Sequence, residues 1–430
     1  MKNSIVKYLI YMYKRYDFKS FLGKTLEAFF GFLFIYPLSY LTKRNNRIWV
    51  FGSHVKFSGN PKYLFLYVHE EINSIRPIWI SGDKSLVKDL RNKKYEAYYK
   101  WSMKGLYYSL IAGVYFFSFY TVDINYFAVG RALDFNLWHG IGIKLIEFNV
   151  KHGEAAKHYN PNNLISRIYA PFLFRRPQYL LSTSKFTTDY LLKDAFRISE
   201  NKCIELGYPR TDLFFSSLDT VKQFVKLHEN QKTFELIEKI QKYSFSYIYM
   251  PTWRETRYDF ITSAGFDFAL LNEQLIKTNS VFILKLHHAT KLDTSSIANY
   301  SNIFVLDNKI DVYVILPFIT TLITDYSSIY HDFMLLDNKQ IILFPFDKED
   351  YISENRGITL DPRLDYDEYT LGQRAYSFEE LLSLIKNNNS MECYSYPQRE
   401  KMKKIFWGNY TGSSSKQIVD FVFDKLCIKK

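Results

Sequence analysis

Residues 322–336 read LITDYSSIYHDFMLL, and this stretch decides the fold class. Its apolar start ends a predicted strand, TLITD at 321–325, and apolar residues at helical spacing resume after Ser328. Ser327 or Ser328 is placed to cap the predicted helix. Free N–H groups and the helix dipole favour an anion at such a turn. The stretch therefore predicts a strand–turn–helix unit with an anion site, in which we expect Asp325 to organise the turn.

The same alternation of apolar runs and amphipathic segments recurs along the chain from residue 46. The predicted strands form two series: RIWVFGS (47–53), RPIWISGD (76–83), VYFFSF (114–119), ALDFNLW (132–138), YLLSTS (179–184) and KCIELG (202–207), then FSYIYMP (245–251), VFILKLH (281–287), NIFVL (302–306), TLITD (321–325) and QIILFPF (340–346). Strands that alternate with helices indicate parallel sheets covered on both faces.

This pattern predicts an α/β protein with two Rossmann-like domains that face a cleft. We place the first domain at 46–215, a linker helix at 216–243, and the second domain with its closing helices at 244–430. Ligands of such folds bind beyond the carboxyl ends of the strands, so polar residues just after strands are the candidate site residues.

The composition indicates an anionic partner but does not identify which one. The net charge of +12 over 430 residues suits an anionic partner, which includes nucleic acid, an acidic membrane surface and phosphorylated substrates. The basic residues are spread along the chain without a nucleic-acid-binding signature, so we expect no nucleic acid partner. The three cysteines are far apart and predict neither a disulfide framework nor a metal site.

The first 45 residues differ from the rest because large apolar residues alternate there with lysine and arginine. Only Asp17 and Glu27 oppose this positive charge. A basic, aromatic, amphipathic segment suits the headgroup plane of an anionic membrane, although a helix packed on the protein's own surface has the same pattern. The apolar run at 28–41 is too short to span a bilayer. We therefore predict that residues 1–45 associate peripherally with a membrane.

Two polar clusters follow strands of the first series. Trp138-His139-Gly140 has Lys144 nearby; a histidine on a loop can act as a general base near neutral pH, or can be a hydrogen-bonded structural residue. In GYPRTD, 207–212, Arg210 can face a ligand or pair with Asp212.

Three more clusters follow strands of the second series, beside the stretch at 322–336. PTWRE, 251–255, offers Arg254 as a fork for phosphate. In LKLHH, 284–288, Lys285 and His287 share one face of the strand, and the adjacent histidines lack the partners of a metal site. Arg356-Gly357 lies in a later loop and offers a second fork.

In order, these motifs resemble the CDP-glycerol glycerophosphotransferase family, the teichoic acid polymerase and primase group, over residues 47–425. The resemblance implies a GT-B fold on the cytoplasmic face of the cell membrane. It also implies transfer of glycerol phosphate or ribitol phosphate from a CDP-alditol to an acceptor hydroxyl, with release of CMP. The acceptor would be a teichoic acid or capsule-like polymer, or a lipid-linked primer.

The resemblance assigns roles residue by residue. His139 matches the base that deprotonates the acceptor, and His287 matches a histidine expected near the donor pyrophosphate. The residues expected to bind substrate are Gly140, Lys144, Arg210, Arg254, Lys285, Thr324, Asp325, Ser327, Ser328, Asp332, Arg356 and Gly357. Two departures affect the motifs: Ile141 and Gly142 stand where the family has Thr and Pro, and His288 stands where it has Pro. We expect His331 to be structural.

Alternatives follow from the same residues. A GT-B glycosyltransferase that uses a nucleotide sugar is the alternative enzyme, and a membrane scaffold is the alternative without catalysis. We expect no required cofactor and no metal site, because positive side chains can stabilise the phosphoryl charge; a divalent cation stays open as an addition. The sequence leaves the oligomeric state, the choice between glycerol and ribitol phosphate, and the acceptor open.

Overall fold

The computed structural model describes residues 18–54, 56–163, 166–167, 170–254, 260–286, 290, 297, 299–353, 359–387 and 396–429. These residues form two compact units. The first unit contains the described residues up to His139, Ile146–Arg210, and the end of the chain from Ser413. The second contains Gly140–Leu145 and Thr211–Gly412. Each unit is built around its own parallel sheet.

The sheet of the first unit has the order β3-β2-β1-β4-β5-β6-β7 among the described residues. Its strands are β1 (Asn45–Phe51), β2 (Arg76–Ser81), β3 (Ala97–Tyr99), β4 (Ala112–Phe117), β5 (Leu133–Asn136), β6 (Tyr179–Ser182) and β7 (Cys203–Glu205). The α-helices are α1 (Phe18–Phe30), α2 (Tyr36–Leu41), α3 (Gly59–Glu71), α4 (Lys84–Asn92), α5 (Met103–Ile111), α6 (Gly153–Tyr159), α7 (Lys193–Phe196) and α16 (Ser414–Leu426). The strand order reverses between β1 and β4, and such a switch point is where open α/β sheets bind ligands.

The sheet of the second unit has the order β10-β9-β8-β11-β12-β13 among the described residues. Its strands are β8 (Phe245–Tyr249), β9 (Ser280–Leu284), β10 (Ile303–Val305), β11 (Thr321–Thr324), β12 (Gln340–Leu343) and β13 (Gln373–Arg374). The helices are α8 (Leu218–His228), α9 (Gln231–Ile240), α10 (Phe260–Ser263), α11 (Phe268–Lys277), α12 (Ile329–Phe333), α13 (Lys348–Ser353), α14 (Phe378–Lys386) and α15 (Tyr396–Trp407).

The local sequence explains these elements. The central strands are continuous apolar runs because helices cover both faces; β4 and β9 are buried at every position. Side-chain caps begin several helices: Asp83 accepts the N–H of Ser85 at 2.8 Å before α4, and Asn230 accepts that of Thr233 at 2.9 Å before α9.

The predicted α/β class with parallel sheets is confirmed, and so is each strand of the two predicted series. The sequence pattern missed β3 and β13. It also placed the domain boundaries differently from the structure. Residues 216–243 are two helices of the second unit rather than one linker helix, and the end of the chain from Ser413 belongs to the first unit rather than to the second. The reason for the second difference is packing: Phe423 of α16 contacts Trp49 of β1, with ring centroids 5.7 Å apart.

The segment α1, Gly31–Ile35 and α2 lies on the first unit. Residues 1–17, which belong to the predicted membrane segment, lie outside the described residues. A Cβ at Gly31 would come within 2.4 Å of the Phe127 ring, so the backbone is in close contact there. The indole Nε1 of Trp101 donates to Glu27 at 2.8 Å. No helix among the described residues combines the length and the apolar content that crossing a bilayer requires.

Candidate active site

His139 lies just after β5, at the carboxyl edge of the first sheet. Its imidazole is half-buried; it stacks on Phe119 with centroids 4.1 Å apart and contacts the ring of Trp138 with centroids 3.8 Å apart. Phe119 follows β4, next to the switch point of the sheet. The structure therefore places this histidine where a ligand of the first unit would bind.

The main chain before His139 is held by buried side chains. Trp138 has φ of 50°, a left-handed conformation that is uncommon for a bulky residue. Asn60 donates to Leu137 O at 2.9 Å and to Trp138 O at 3.0 Å. Arg210 donates through Nη1 to His139 O at 2.6 Å. Three successive carbonyls are thus hydrogen-bonded by two side chains.

Arg210, which was predicted to bind substrate, contacts the main chain of the His139 loop. Its side chain is buried, with 3% exposure, and its guanidinium lies over the Tyr208 ring at 5.0 Å. The group is used within the first unit to fix the loop of His139. Asp212, the alternative partner of Arg210, accepts the hydroxyl of Tyr410 at 2.6 Å.

Glu147 lies in a small cavity of the first unit that Phe119 also lines. The cavity has about 10 Å³ for water, room for one molecule at most. Tyr120 donates its hydroxyl to Glu147, and Tyr120 is itself 3.3 Å from the hydroxyl of Tyr159. Burial raises the pKa of Glu147 to about 7, so this carboxyl is protonated at acid pH.

Gly140–Leu145 continues from His139 but belongs to the second unit. Lys144 forms an antiparallel bridge with Leu360, and Leu145 donates its N–H to Thr359 O at 2.9 Å. Burial lowers the pKa of Lys144 to about 8, while nearby Asp325 opposes that shift. The segment therefore places the Lys144 ammonium near Asp325, which forms a buried ion cluster with Arg254 and Asp347.

Arg254 is the centre of that cluster. Its guanidinium is fully buried, and it donates to Asp347 through Nε at 2.7 Å and through Nη2 at 2.8 Å. Nη2 also donates to Asp325 at 2.8 Å, and Nη1 donates to Thr252 O at 2.5 Å. The prediction that Arg254 forks a phosphate conflicts with these contacts, because two carboxylates already take the fork. Its charge instead organises the loops after β8, β11 and β12.

Aromatic rings enclose this buried ion cluster. Tyr326 stacks on Tyr351 at 4.1 Å between centroids, and the Arg254 guanidinium lies 5.3 Å and 5.1 Å from the two rings. Tyr366 donates its hydroxyl to Asp325 O at 3.2 Å. Burial, with the nearby carboxylates, raises the pKa of Tyr326 far above its ordinary range. Tyr326 therefore stays neutral, and the three tyrosines act as hydrogen-bonding and packing groups.

The turn after β11 departs from the predicted capped helix. Helix α12 has five residues, and Ser328 is in a helical conformation with no side-chain cap. The capping prediction is wrong: the first N–H groups of the helix, those of Tyr330 and His331, donate to the main-chain oxygens of Ser327 and Ser328 at 3.3 Å and 3.1 Å. Asp325 accepts the N–H groups of Thr252 at 2.8 Å and of Tyr326 at 2.5 Å, before the helix begins. Thr324 donates its hydroxyl to Met250 O at 2.7 Å. The expectation that Asp325 organises the turn agrees with these contacts, and Ser327 and Ser328 remain half-buried.

Two residues of α12 are buried. Asp332 accepts the Tyr313 hydroxyl at 2.5 Å and is fully buried, so the structure shows it inside the unit. Burial lowers the pKa of His331 to about 3, and its main-chain oxygen accepts the indole N–H of Trp407 at 2.8 Å. The expectation that His331 is structural agrees with this environment.

The remaining predicted residues divide into described and undescribed ones. Lys285 donates to Asn308 at 2.5 Å. His287, Arg356 and Gly357 lie outside the described residues, as does His288. Sequence reasoning missed Asn60, Asp347, Tyr351 and Tyr366; only Asp347 had a signal, because it follows a predicted strand as the other polar clusters do. In the described part of the chain, no group of three His, Cys, Asp or Glu residues could hold a metal ion.

The match to known proteins decides the family. Residues 34–424 match the family described as CDP-Glycerol:Poly(glycerophosphate) glycerophosphotransferase. The chain belongs to this family.

Curated relatives of this glycerophosphotransferase family include proteins of different lengths. The chain is 27% identical to the teichoic acid glycerol-phosphate transferase of Staphylococcus aureus over 74% of this chain and 78% of that protein. It is 29% identical to the teichoic acid poly(ribitol-phosphate) polymerase of Bacillus spizizenii over 53% of this chain. It is 23% identical to the teichoic acid poly(glycerol phosphate) polymerase of Bacillus subtilis over 93% of this chain. The matches span only 34% and 52% of these two polymerases.

Solved structures show the same fold. The H444N variant of the wall teichoic acid polymerase TagF matches with a TM-score of 0.72 and 20% identity, over 94% of each chain. The same variant soaked with CDPG matches with a TM-score of 0.70 and 20% identity, again over 94% of each chain.

Proposed function

We propose that this protein is a CDP-glycerol glycerophosphotransferase. It moves glycerol phosphate, or another alditol phosphate, from the CDP-alditol to a hydroxyl of an acceptor and releases CMP. The acceptor class is a teichoic acid or capsule-like polymer, or a lipid-linked primer. The observation that supports the proposal is that His139 follows β5 at the carboxyl edge of the first sheet and stacks on Phe119, in a chain that matches the family over residues 34–424.

The proposed reaction begins at His139. Its imidazole takes the proton of the acceptor hydroxyl, and the oxygen attacks the phosphorus that is bonded to glycerol. The new P–O bond forms as the phosphoanhydride bond to CMP breaks, and the electron pair of that bond leaves with CMP. Stacking on Phe119 and contact with the Trp138 ring fix the imidazole plane, so the base meets the hydroxyl in one orientation.

The second unit supplies the donor half of the proposal. We assign Lys144 to the charge that grows on the phosphoryl oxygens, because its ammonium lies near Asp325 and Arg254 in the buried cluster. Arg254 positions the loops that bind the donor rather than touching phosphate. His287, Arg356, Gly140, Ser327 and Ser328 keep the donor and acceptor roles that the family resemblance gives them. No cofactor is part of this proposal, and a chelator should leave turnover unchanged.

The test is CMP release from CDP-glycerol by the His139→Gln variant. General-base catalysis contributes about 10²- to 10⁴-fold, so kcat should fall by about that factor. His152→Gln is the matched control, since His152 is an exposed histidine of the same unit. Turnover of His139→Gln close to that of the wild type would contradict the assignment. Release of UDP or GDP from nucleotide sugars, without CMP release, would favour the glycosyltransferase alternative.

We also propose that the segment α1, Gly31–Ile35 and α2 binds the cytoplasmic face of an anionic membrane as a peripheral protein. Its outer face exposes large apolar side chains, including Phe29 at 58%, Leu33 at 54% and Leu41 at 81%. Lys43 and Arg47 follow directly and suit lipid phosphates.

Cosedimentation with vesicles tests this second proposal. Leu33→Asp should weaken binding to phosphatidylglycerol-containing vesicles, whereas Leu227→Asp should not, because Leu227 is equally an exposed leucine but lies on α8 of the second unit. Equal binding of both variants would contradict the membrane surface.

A further inference from the structure

Asn60 connects three segments at the carboxyl edge of the first sheet. It lies in the first turn of α3, and its side chain is fully buried. Nδ2 donates to Leu137 O at 2.9 Å and to Trp138 O at 3.0 Å, while Oδ1 accepts the N–H of Arg210 at 3.4 Å. Only an amide presents two donors and an acceptor in this way; a carboxylate or a methyl group would leave buried carbonyls without a donor.

The residue that Asn60 holds is in an unusual conformation. The described non-glycine residues with positive φ are Lys94, Trp138, Glu147, Arg197, Asn279, Asn338 and Cys427. Two of these are asparagines, which tolerate the left-handed region, and three others follow helix ends, where it is common. Among the described residues, this leaves Trp138 and Glu147, at the two sides of the segment Gly140–Leu145.

Hydrogen bonds to the N–H and to the carbonyl of Trp138 maintain its conformation. Its N–H donates to Asn136 Oδ1 at 2.8 Å, and its carbonyl accepts from Asn60. A bulky residue keeps a left-handed φ only where its surroundings enforce it. Rotation of this residue would move the next side chain, which is His139, away from the face of Phe119.

We propose that Asn60 is a positioning residue for His139. By holding two carbonyls it maintains Trp138 in the left-handed region, and Trp138 in turn directs the imidazole toward the acceptor hydroxyl. Arg210, whose own N–H is bound by Asn60, completes the same clamp on His139 O. This proposal rests on the proposed function, because it gives Asn60 its role through the base of that reaction.

The kinetic test compares Asn60→Ala with Asn125→Ala. Asn125 is a buried asparagine of the same unit, with 2% exposure, and its Oδ1 accepts the N–H of Phe127 at 3.1 Å, outside the loop of His139. Misplacing a reacting group by about 1 Å can cost about 100-fold in rate. We expect kcat of Asn60→Ala to fall by about 10- to 100-fold with KM for CDP-glycerol unchanged, and kcat of Asn125→Ala to stay within about twofold. Equal falls for the two variants would show a purely structural role and overturn the proposal.

A spectroscopic readout separates this proposal from the proposed function. Histidine-labelled protein is examined by NMR, and the ring resonances of His139 are assigned from their absence in His139→Gln. The Phe119 ring lies 4.1 Å from the imidazole centroid, so its ring current shifts these resonances. In Asn60→Ala the imidazole should move from this face and lose that shift, whereas Asn125→Ala should keep it. Unchanged His139 resonances in Asn60→Ala would overturn the positioning role. Resonances that move in Asn60→Ala, in a protein whose wild type releases no CMP, would support the positioning role and refute the proposed function.

Discussion

Arg254→Lys tests whether the guanidinium organises the donor side of the second unit or binds phosphate itself. Arg254 makes four hydrogen bonds, three of them to Asp325 and Asp347. A lysine ammonium is a compact point charge that cannot span two carboxylates, so at least two charge-assisted bonds are lost. At about 1.5–3 kcal/mol each, the two bonds contribute about 3–6 kcal/mol, and breaking a buried ion pair costs about 3–5 kcal/mol, so we expect the free energy of unfolding to fall by about 3–5 kcal/mol.

The assay is urea unfolding of the variant, followed by circular dichroism, beside calorimetric binding of CDP-glycerol. Arg76→Lys is the matched control, because Arg76 makes the same bidentate contact with Glu96, at 2.8 Å and 2.9 Å, but is half exposed. An exposed pair contributes about 0–1 kcal/mol, so the control should unfold close to the wild type. If Arg254→Lys kept wild-type stability and lost only donor binding, Arg254 would be a phosphate ligand and the structural argument would be refuted.

Three further predictions concern Glu147, Lys144 and Gly31. The pKa of Glu147 is about 7 in the folded chain and about 4.5, its ordinary value, in the unfolded chain. Between these values the folded state binds more protons, so the free energy of unfolding should fall by about 3 kcal/mol as the pH rises through this window. In Glu147→Gln, unfolding midpoints measured across pH should lose this slope. Because the pKa of Lys144 is lowered to about 8, its charged form decreases above that pH, and the rate of CMP release should fall there. Arginine stays charged at these pH values, so Lys144→Arg should show no such alkaline fall. Gly31→Ala would place a Cβ 2.4 Å from the Phe127 ring and should lower stability by about 1–3 kcal/mol in thermal unfolding, while Gly23→Ala, with no atom within 4 Å, should not.

The sheets were predictable because their strands are long apolar runs, buried on both faces. β3 and β13 were not, since their residues, AYY and QR, lie in polar surroundings and form no apolar run. The edge strands β7 and β10 are equally short, but they lie in the apolar runs KCIELG and NIFVL. The pairing of β3 and β13 depends on a neighbouring strand that is already in place.

The sequence indicated which polar residues follow the strands, but it did not indicate their contacts. His139 could be found because it is a histidine just after a strand. The partners of Arg254 could not, because Asp325 and Asp347 are 71 and 93 residues away in sequence, and a free arginine looks the same as a buried one. Asn60 was missed for the same reason: it is 78 residues from Trp138 and has no motif of its own.

Helix α16 belongs to the first unit but is the last of its described elements to leave the ribosome during synthesis. Phe421 contacts Phe135 and Tyr179, with ring centroids 5.8 Å and 5.0 Å apart, and Phe423 contacts Trp49. These aromatic rings of the sheet emerge early, whereas the helix that covers them is made only after residue 413. At about 5–20 residues per second, the nascent sheet waits on the order of tens of seconds for its last layer. Throughout that time an aromatic surface is open to chaperones and to other nascent chains.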